Sequence, residues 1–186
     1  EVIRHCDYLV DIHTGSFQRT NLAQIRADLD NASVLKFAKM FGDITVLNHP
    51  GAIGTLRRAA TEIGIAAATI EVGEPLRLQP EQVNVGVRGI KTMLAGLGMS
   101  VKPRKKSGRQ AVFYQSTWLR SDHGGILLSK VELGDEVTAG QVLGTVTDPI
   151  TNRRGSILSP TDGRILGMAI NQVVMPGFAA FHLGYK

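Results

Sequence analysis

Asp7-Tyr8-Leu9-Val10-Asp11-Ile12-His13-Thr14-Gly15 is the stretch on which the fold of this chain turns. An apolar run stops abruptly at Asp-x-His-Thr-Gly. Tyr8 to Ile12 has the composition of a buried β-strand, and strand side chains alternate between faces, so Asp11 and His13 point the same way. Open α/β sheets place their ligands at the carboxyl ends of strands. An imidazole at that position is a candidate metal ligand, and a carboxylate two residues earlier can fix its tautomer. Taken alone, such a histidine is more often a core residue satisfied by its neighbours.

A second signal lies in Ala68-Thr69-Ile70-Glu71-Val72-Gly73-Glu74-Pro75. Ile65 to Val72 is a short run rich in Ala and β-branched residues, closed by Gly73 and Pro75, and reads as another buried strand. Glu71 falls near its end. A carboxylate in such a setting is suited to general-base chemistry, because burial moves its pKa towards the working pH. The plain alternative is a Glu paired with one of the chain's arginines.

These two motifs, in this order, resemble the succinylglutamate desuccinylase and aspartoacylase family of zinc carboxypeptidase relatives. In that family a strand-ending Asp-x-His supplies the third zinc ligand, and the Glu of a later Glu-x-Gly acts as general base and acid. Glu71 follows His13 by 58 positions, in keeping with that order. The resemblance therefore implies His13 as a Zn2+ ligand, Asp11 as the group that orients it, and Glu71 as the catalytic carboxylate. One element of the family pattern is missing. Its first two zinc ligands come from an earlier His-x-x-Glu, yet none of His5, His13, His49, His123 and His182 has a Glu three positions on. A catalytic zinc needs about three protein ligands. The expectation is that these 186 residues, which begin with Glu1 and not Met, are the C-terminal part of a longer enzyme and carry one incomplete zinc site.

The remaining pattern divides in two. Thr45 to Asn48 reads as a strand, Gly51 to Gly54 as a turn, and Thr55 to Gly64 as a helix stopped by glycine. Val83, Val87, Ile90, Leu94 and Leu97 recur at helical spacing up to Gly98. Strands alternating with helices imply a mostly parallel sheet with flanking helices, so residues 1–101 are expected to be the C-terminal part of a zinc-carboxypeptidase-like α/β domain. Lys102-Pro103-Arg104-Lys105-Lys106-Ser107-Gly108-Arg109 carries five cations in eight residues. No aromatic residues interleave with them, so residues 102–110 read as a hydrated linker and not a nucleic-acid surface. Residues 111–186 are punctuated by glycines, including Gly134, Gly140, Gly155 and Gly177, and resemble the barrel-sandwich hybrid of lipoyl and biotin carrier domains. The hairpin tip Asp148-Pro149-Ile150-Thr151-Asn152-Arg153 has no Lys to modify, which argues against a carrier role. In the family, such a β-domain borders the active-site entrance.

Composition fits a protein with one or two cores, at 43% hydrophobic residues. No run of about 18 apolar residues is present, so no membrane span is expected. The single cysteine, Cys6, excludes an internal disulfide, fits a reducing cytoplasm, and reads as a small buried hydrophobe. Arg19, Asn21 and Arg26 read as a polar loop after the first strand. Arg is suited to bidentate capture of a carboxylate, so Arg19 and Asn21 are candidate substrate contacts. The family uses an Arg in the region of Arg57 and Arg58, without the sequence deciding between the two. His49 before Pro50-Gly51 reads as a turn residue, with lining of the pocket as the alternative; His123 reads as a loop residue, with the entrance as the alternative; Glu74 is a fallback for Glu71.

The resemblance implies zinc-dependent hydrolysis of the amide in a small-molecule N-acyl amino acid, with no nucleic-acid or membrane partner and room for a homo-oligomer. The alternative is a non-catalytic binding or scaffold protein on the same fold.

Overall fold

A computed structural model describes residues 2–101 and 109–186. The core of the predicted linker, residues 102–108, lies outside the described residues. Among those described, no helix is long and apolar enough to cross a membrane. The chain divides into two units that interleave along the sequence. Unit 1 holds Glu1–Thr14, Ala23–Gly73 and Arg77–Tyr114, and unit 2 holds Gly15–Leu22, Glu74–Leu76 and Gln115–Lys186.

Unit 1 contains β1 (Tyr8–His13), the later part of β2 (Arg19–Ala27), α1 (Ala32–Ala38), β3 (Thr45–Asn48), α2 (Leu56–Glu62), β4 (Ala66–Gly73), α3 (Pro80–Gly96) and β5 (Val112–Phe113). Its sheet runs β1-β4-β2-β3-β5. The pairs β1 with β4, β2 with β3, and β3 with β5 are parallel. The period-2 alternation of β4 assigns its faces. Ala66, Ala68 and Ile70 join Ile25, Val46, Val34, Phe37, Phe41 and Met93 in one core, which α1 and α3 cover. Ala67, on the other face, packs with Ala60 of α2 and with Leu9. Phe37 and Phe41 are fully buried and meet edge-on, with ring centroids 5.5 Å apart. Each contributes about 2–3 kcal/mol of burial. Asn31 caps α1, its side chain accepting from the amides of Ser33 and Val34.

Three expectations change. β1 is not a buried strand: it ends the order of this sheet, and Ile12 is 72% exposed. The polar segment from Arg19 is the extended strand β2, entered through a turn at Gln18 with φ +63°. Ala23, Ile25 and Ala27 alternate along it with polar residues, the strand period that the arginines obscure. Cys6 is exposed, beside a short 3₁₀ turn at Val2–His5. The helix from Pro80 does carry its apolar stripe, but Val83 and Val87 at its start remain about half exposed.

Unit 2 is all-β. The opening residues of β2 pair antiparallel with β11 (Gly163–Ala169), which continues to β13 (Ala179–Tyr185) and β6 (Gln115–Arg120), with β8 (Glu136–Val137) also on β11. A second antiparallel sheet orders β10 (Arg154–Leu158), β9 (Val142–Thr147), β7 (Gly125–Ser129) and β12 (Val173–Val174). Leu127, Leu143 and Val146 of the second sheet share one core with Ile165, Phe181 and Leu183 of the first.

Candidate active site

The parallel register of β1 and β4 sets Asp11 opposite Thr69 and His13 opposite Glu71. Register partners on neighbouring strands present their side chains to the same face. His13 and Glu71 therefore stand side by side at the carboxyl ends of two adjacent strands, on the face that α2 covers, with Asp11 and Thr69 one pleat behind them. Gly73 explains why the strand can stop two residues after Glu71. Its φ is +71°, and a Cβ there would lie 2.4 Å from Gln79 Oε1, so the chain turns at a position open to glycine.

Asp11 holds the imidazole: Oδ2 lies 2.9 Å from His13 Nε2. A carboxylate accepts, so in the neutral ring Nε2–H donates and Nδ1 carries the lone pair. That is the form a metal ligand needs, with the second nitrogen anchored by a carboxylate. Among the described residues no three of His, Cys, Asp and Glu come together to hold an ion. The described residues therefore offer one anchored imidazole as a candidate ligand, and not a set of three.

Glu71 is paired. Its Oε1 lies 3.3 Å from Arg26 Nε, and both side chains are largely buried. The strand assignment of β2 is what brings Arg26 here, since β2 neighbours β4.

The two arginines of α2 separate cleanly. Arg58 makes an ordinary i,i+4 pair with Glu62 at 2.7 Å. Arg57 is 7% exposed, on the side of α2 that also buries Ala60. Its Nη1 donates to Thr69 Oγ1. Its Nη2 donates to the His49 carbonyl at 3.0 Å and meets His49 Nδ1 at 2.9 Å. Burial chiefly, and then Arg26, weaken its hold on the proton, while Glu71 and then Asp11 strengthen it. The guanidinium remains charged, as arginine does throughout the working range. Burial, followed by the charges of Arg26 and Arg57, also holds the His49 imidazole below its ordinary pKa.

Arg19 and Asn21 belong to unit 2. The Arg19 Nε donates to the Ala179 carbonyl at 3.2 Å, and its guanidinium sits 5.0 Å from the ring centres of both Trp118 and Phe178. Trp118 in turn stacks on His182 at 4.6 Å. Asn21 is 3% exposed and opposite Gly167 in the β2–β11 register. Glu74 also groups with unit 2. The His123 Nδ1 lies 3.0 Å from the Gly124 carbonyl, also within unit 2. Thr69 belongs to neither sequence motif's candidate set. Its signal is the period-2 spacing from Glu71, which places a hydroxyl on the same face.

The family model for the succinylglutamate desuccinylase/aspartoacylase catalytic domain matches residues 1–97. No curated protein sequence matches the chain. Among solved structures, the apo ectoine utilization protein EutE (DoeB) from Ruegeria pomeroyi is 16% identical with a TM-score of 0.88, over 100% of this chain and 62% of that one. A succinylglutamate desuccinylase/aspartoacylase from Rhodobacter sphaeroides is 20% identical with a TM-score of 0.81, over 99% and 60%. An aspartoacylase family protein from Mesorhizobium loti is 16% identical with a TM-score of 0.76, over 98% and 64%. This chain thus spans about three-fifths of the length of these structures. At such identities the structures establish the fold. The family model covers just over half of the sequence, and on that match the chain belongs to the succinylglutamate desuccinylase/aspartoacylase family.

Proposed function

We propose that the full-length protein is a zinc-dependent amide hydrolase that removes the acyl group from an N-acyl amino acid. The observation that carries this reading is the β1–β4 register, with an Asp-anchored imidazole and a carboxylate side by side at two strand ends. His13 is one zinc ligand through Nδ1, and two further donors come from residues outside these 186. When bound, zinc supplies Lewis acidity, acidifying water and polarising a carbonyl. Asp11 keeps the His13 proton on Nε2. The Glu71 carboxylate takes a proton from the attacking water and returns it to the leaving nitrogen. Arg57 faces the carboxylate of the amino-acid part, using N–H groups not committed to Thr69 and His49. The second unit carries a barrel-sandwich architecture, a reading supported by its two antiparallel sheets around one core.

The Arg26–Glu71 pair favours a second reading, in which Glu71 serves only as a structural counter-ion and the protein binds without catalysis. One experiment separates the two. Zinc content and turnover on a panel of N-acetyl, N-succinyl and longer N-acyl amino acids are measured for the full-length protein and its Glu71→Gln variant. The variant is expected to keep its zinc and to lose about 10²- to 10⁴-fold in rate. Near-normal turnover in Glu71→Gln removes Glu71 from the chemistry. A full-length protein without zinc sinks the hydrolase reading.

A further inference from the structure

Arg57 is a buried guanidinium whose hydrogen bonds, among the described residues, all go to neutral acceptors: Thr69 Oγ1, the His49 carbonyl and His49 Nδ1. Arginine has five N–H groups and no acceptor. Contact with His49 Nδ1 therefore requires that nitrogen to offer its lone pair, so the ring is neutral with its proton on Nε2. A protonated His49 would turn N–H towards N–H at 2.9 Å. One of the three bonds that hold the end of the Arg57 side chain thus exists in only one charge state of His49, and its loss sets two cations against each other.

We propose that His49 is a positioning residue, holding Arg57 through its unprotonated Nδ1 and releasing it when the ring takes up a proton. Its place supports the role. His49 follows β3 directly, its backbone N–H donates to the Ala27 carbonyl at 2.8 Å, and its own carbonyl accepts from the same guanidinium. One residue therefore ties α2 to the strand ends at two points. Thr69 supplies the third, one pleat behind Glu71. The charged groups facing the ring are Arg26 of β2 and Arg57 of α2, with Glu71 and Asp11 acting on Arg57 in turn. Both cations oppose protonation of His49, as burial does. The sign is therefore fixed: Arg57 is held at neutral pH and freed only below the ordinary imidazole range, and the stability this contact contributes is present above about pH 6.5 and lost as pH falls through the folded value.

The catalytic consequence rests on the hydrolase reading above: a freed Arg57 costs substrate affinity more than it costs chemistry. Two measurements on the full-length protein test the proposal. In ¹⁵N NMR, His49 is expected to be neutral with its proton on Nε2 at neutral pH. The Arg57 Nη signals should be resolved there and broaden on acidification with the midpoint of the His49 titration. In steady-state kinetics, His49→Phe should raise KM about tenfold, the value of a hydrogen bond to a charged group, with kcat within roughly twofold. His49→Gln offers an amide oxygen as acceptor and should recover most of that affinity while flattening the acid limb of kcat/KM. A proton on Nδ1 at neutral pH, Arg57 signals blind to the His49 titration, or equal KM in the Phe and Gln variants overturns the proposal. If the wild type turns over none of the substrates, the hydrolase reading falls and the NMR result alone decides the His49–Arg57 contact.

Discussion

Replacing Thr69 by Val should destabilise unit 1 more than deleting the charge that Thr69 serves. Thr69 is 3% exposed and Arg57 7%, so solvent neither screens their bond nor replaces it. Valine keeps the shape of threonine and removes the acceptor. An Nη1 N–H is then left buried beside Nε, which already lacks a hydrogen-bond partner. A hydrogen bond to a charged group is worth about 1.5–3 kcal/mol, and stranding the donor carries the full loss. Arg57→Met also deletes the bonds to His49 and Thr69. It simultaneously ends the burial of a cation next to Arg26, and the several kcal/mol of desolvation that a buried ion costs is then recovered and offsets the lost bonds. All the α-helices of the described residues lie in unit 1, while the single tryptophan, Trp118, lies in unit 2. Urea unfolding followed by the helical circular dichroism signal therefore reads unit 1. With a slope of about 2 kcal/mol per M, Thr69→Val should lower the midpoint by about 1 M and Arg57→Met by less than half of that. An unchanged midpoint in Thr69→Val, or a larger fall in Arg57→Met, would refute the argument that the neutral acceptors hold Arg57 in place.

Two predictions concern unit 2, with Trp118 fluorescence as the measurement. Gly125→Ala places a Cβ at 2.4 Å from the Thr147 carbonyl oxygen, at φ +151°; the obstacle is backbone on the paired strand, and the cost should be about 3–5 kcal/mol. The Asp148 carboxyl, at the tip of the β9–β10 hairpin, is held below its ordinary pKa, first by the Thr151 hydroxyl and then by the Ile150 amide. Its stabilising effect is complete above about pH 3.9 and is lost as pH falls through the folded value, so Asp148→Asn should reduce the acid dependence of unfolding below about pH 4 without altering its upper range.

The elements legible in the sequence are those where one physical signal acts alone. The strand Thr45–Asn48 and the helix stop at Gly64 need only local composition. The joint placement of Asp11, His13 and Glu71 needs only the strand period and the order of two motifs. The β2 strand is hidden because its polar residues change parity along it, Arg19 and Asn21 on one set of alternate positions and Gln24 and Arg26 on the other, so no single period-2 pattern runs its length and the segment resembles a loop. The choice between Arg57 and Arg58 was not legible for a different reason. Adjacent helical residues differ by about 100° in direction, and nothing local says which side of a short helix meets the sheet. Hydropathy even misleads here, because Leu56 is 45% exposed while Arg57 is buried. The His49–Arg57–Thr69 group joins a loop, a helix and a strand. Its members are spaced by no motif, and only the tertiary fold assembles it.

The division of β2 between units has a consequence for how the polypeptide is made. Residues 19–21 pair with Ala169, Met168 and Gly167 of β11, 146 to 150 positions later. During synthesis, which proceeds from the amino end, that segment stays without its strand partner while the rest of unit 1 and most of unit 2 are translated. Closing so long a loop adds little to the thermodynamic cost but delays assembly. A gene cut after Tyr114 would release the remaining β-segment with the β11 edge bare, an invitation to pair with another copy. The second unit is thus a poor candidate for independent expression or for transfer as a cassette, even though most of it is contiguous.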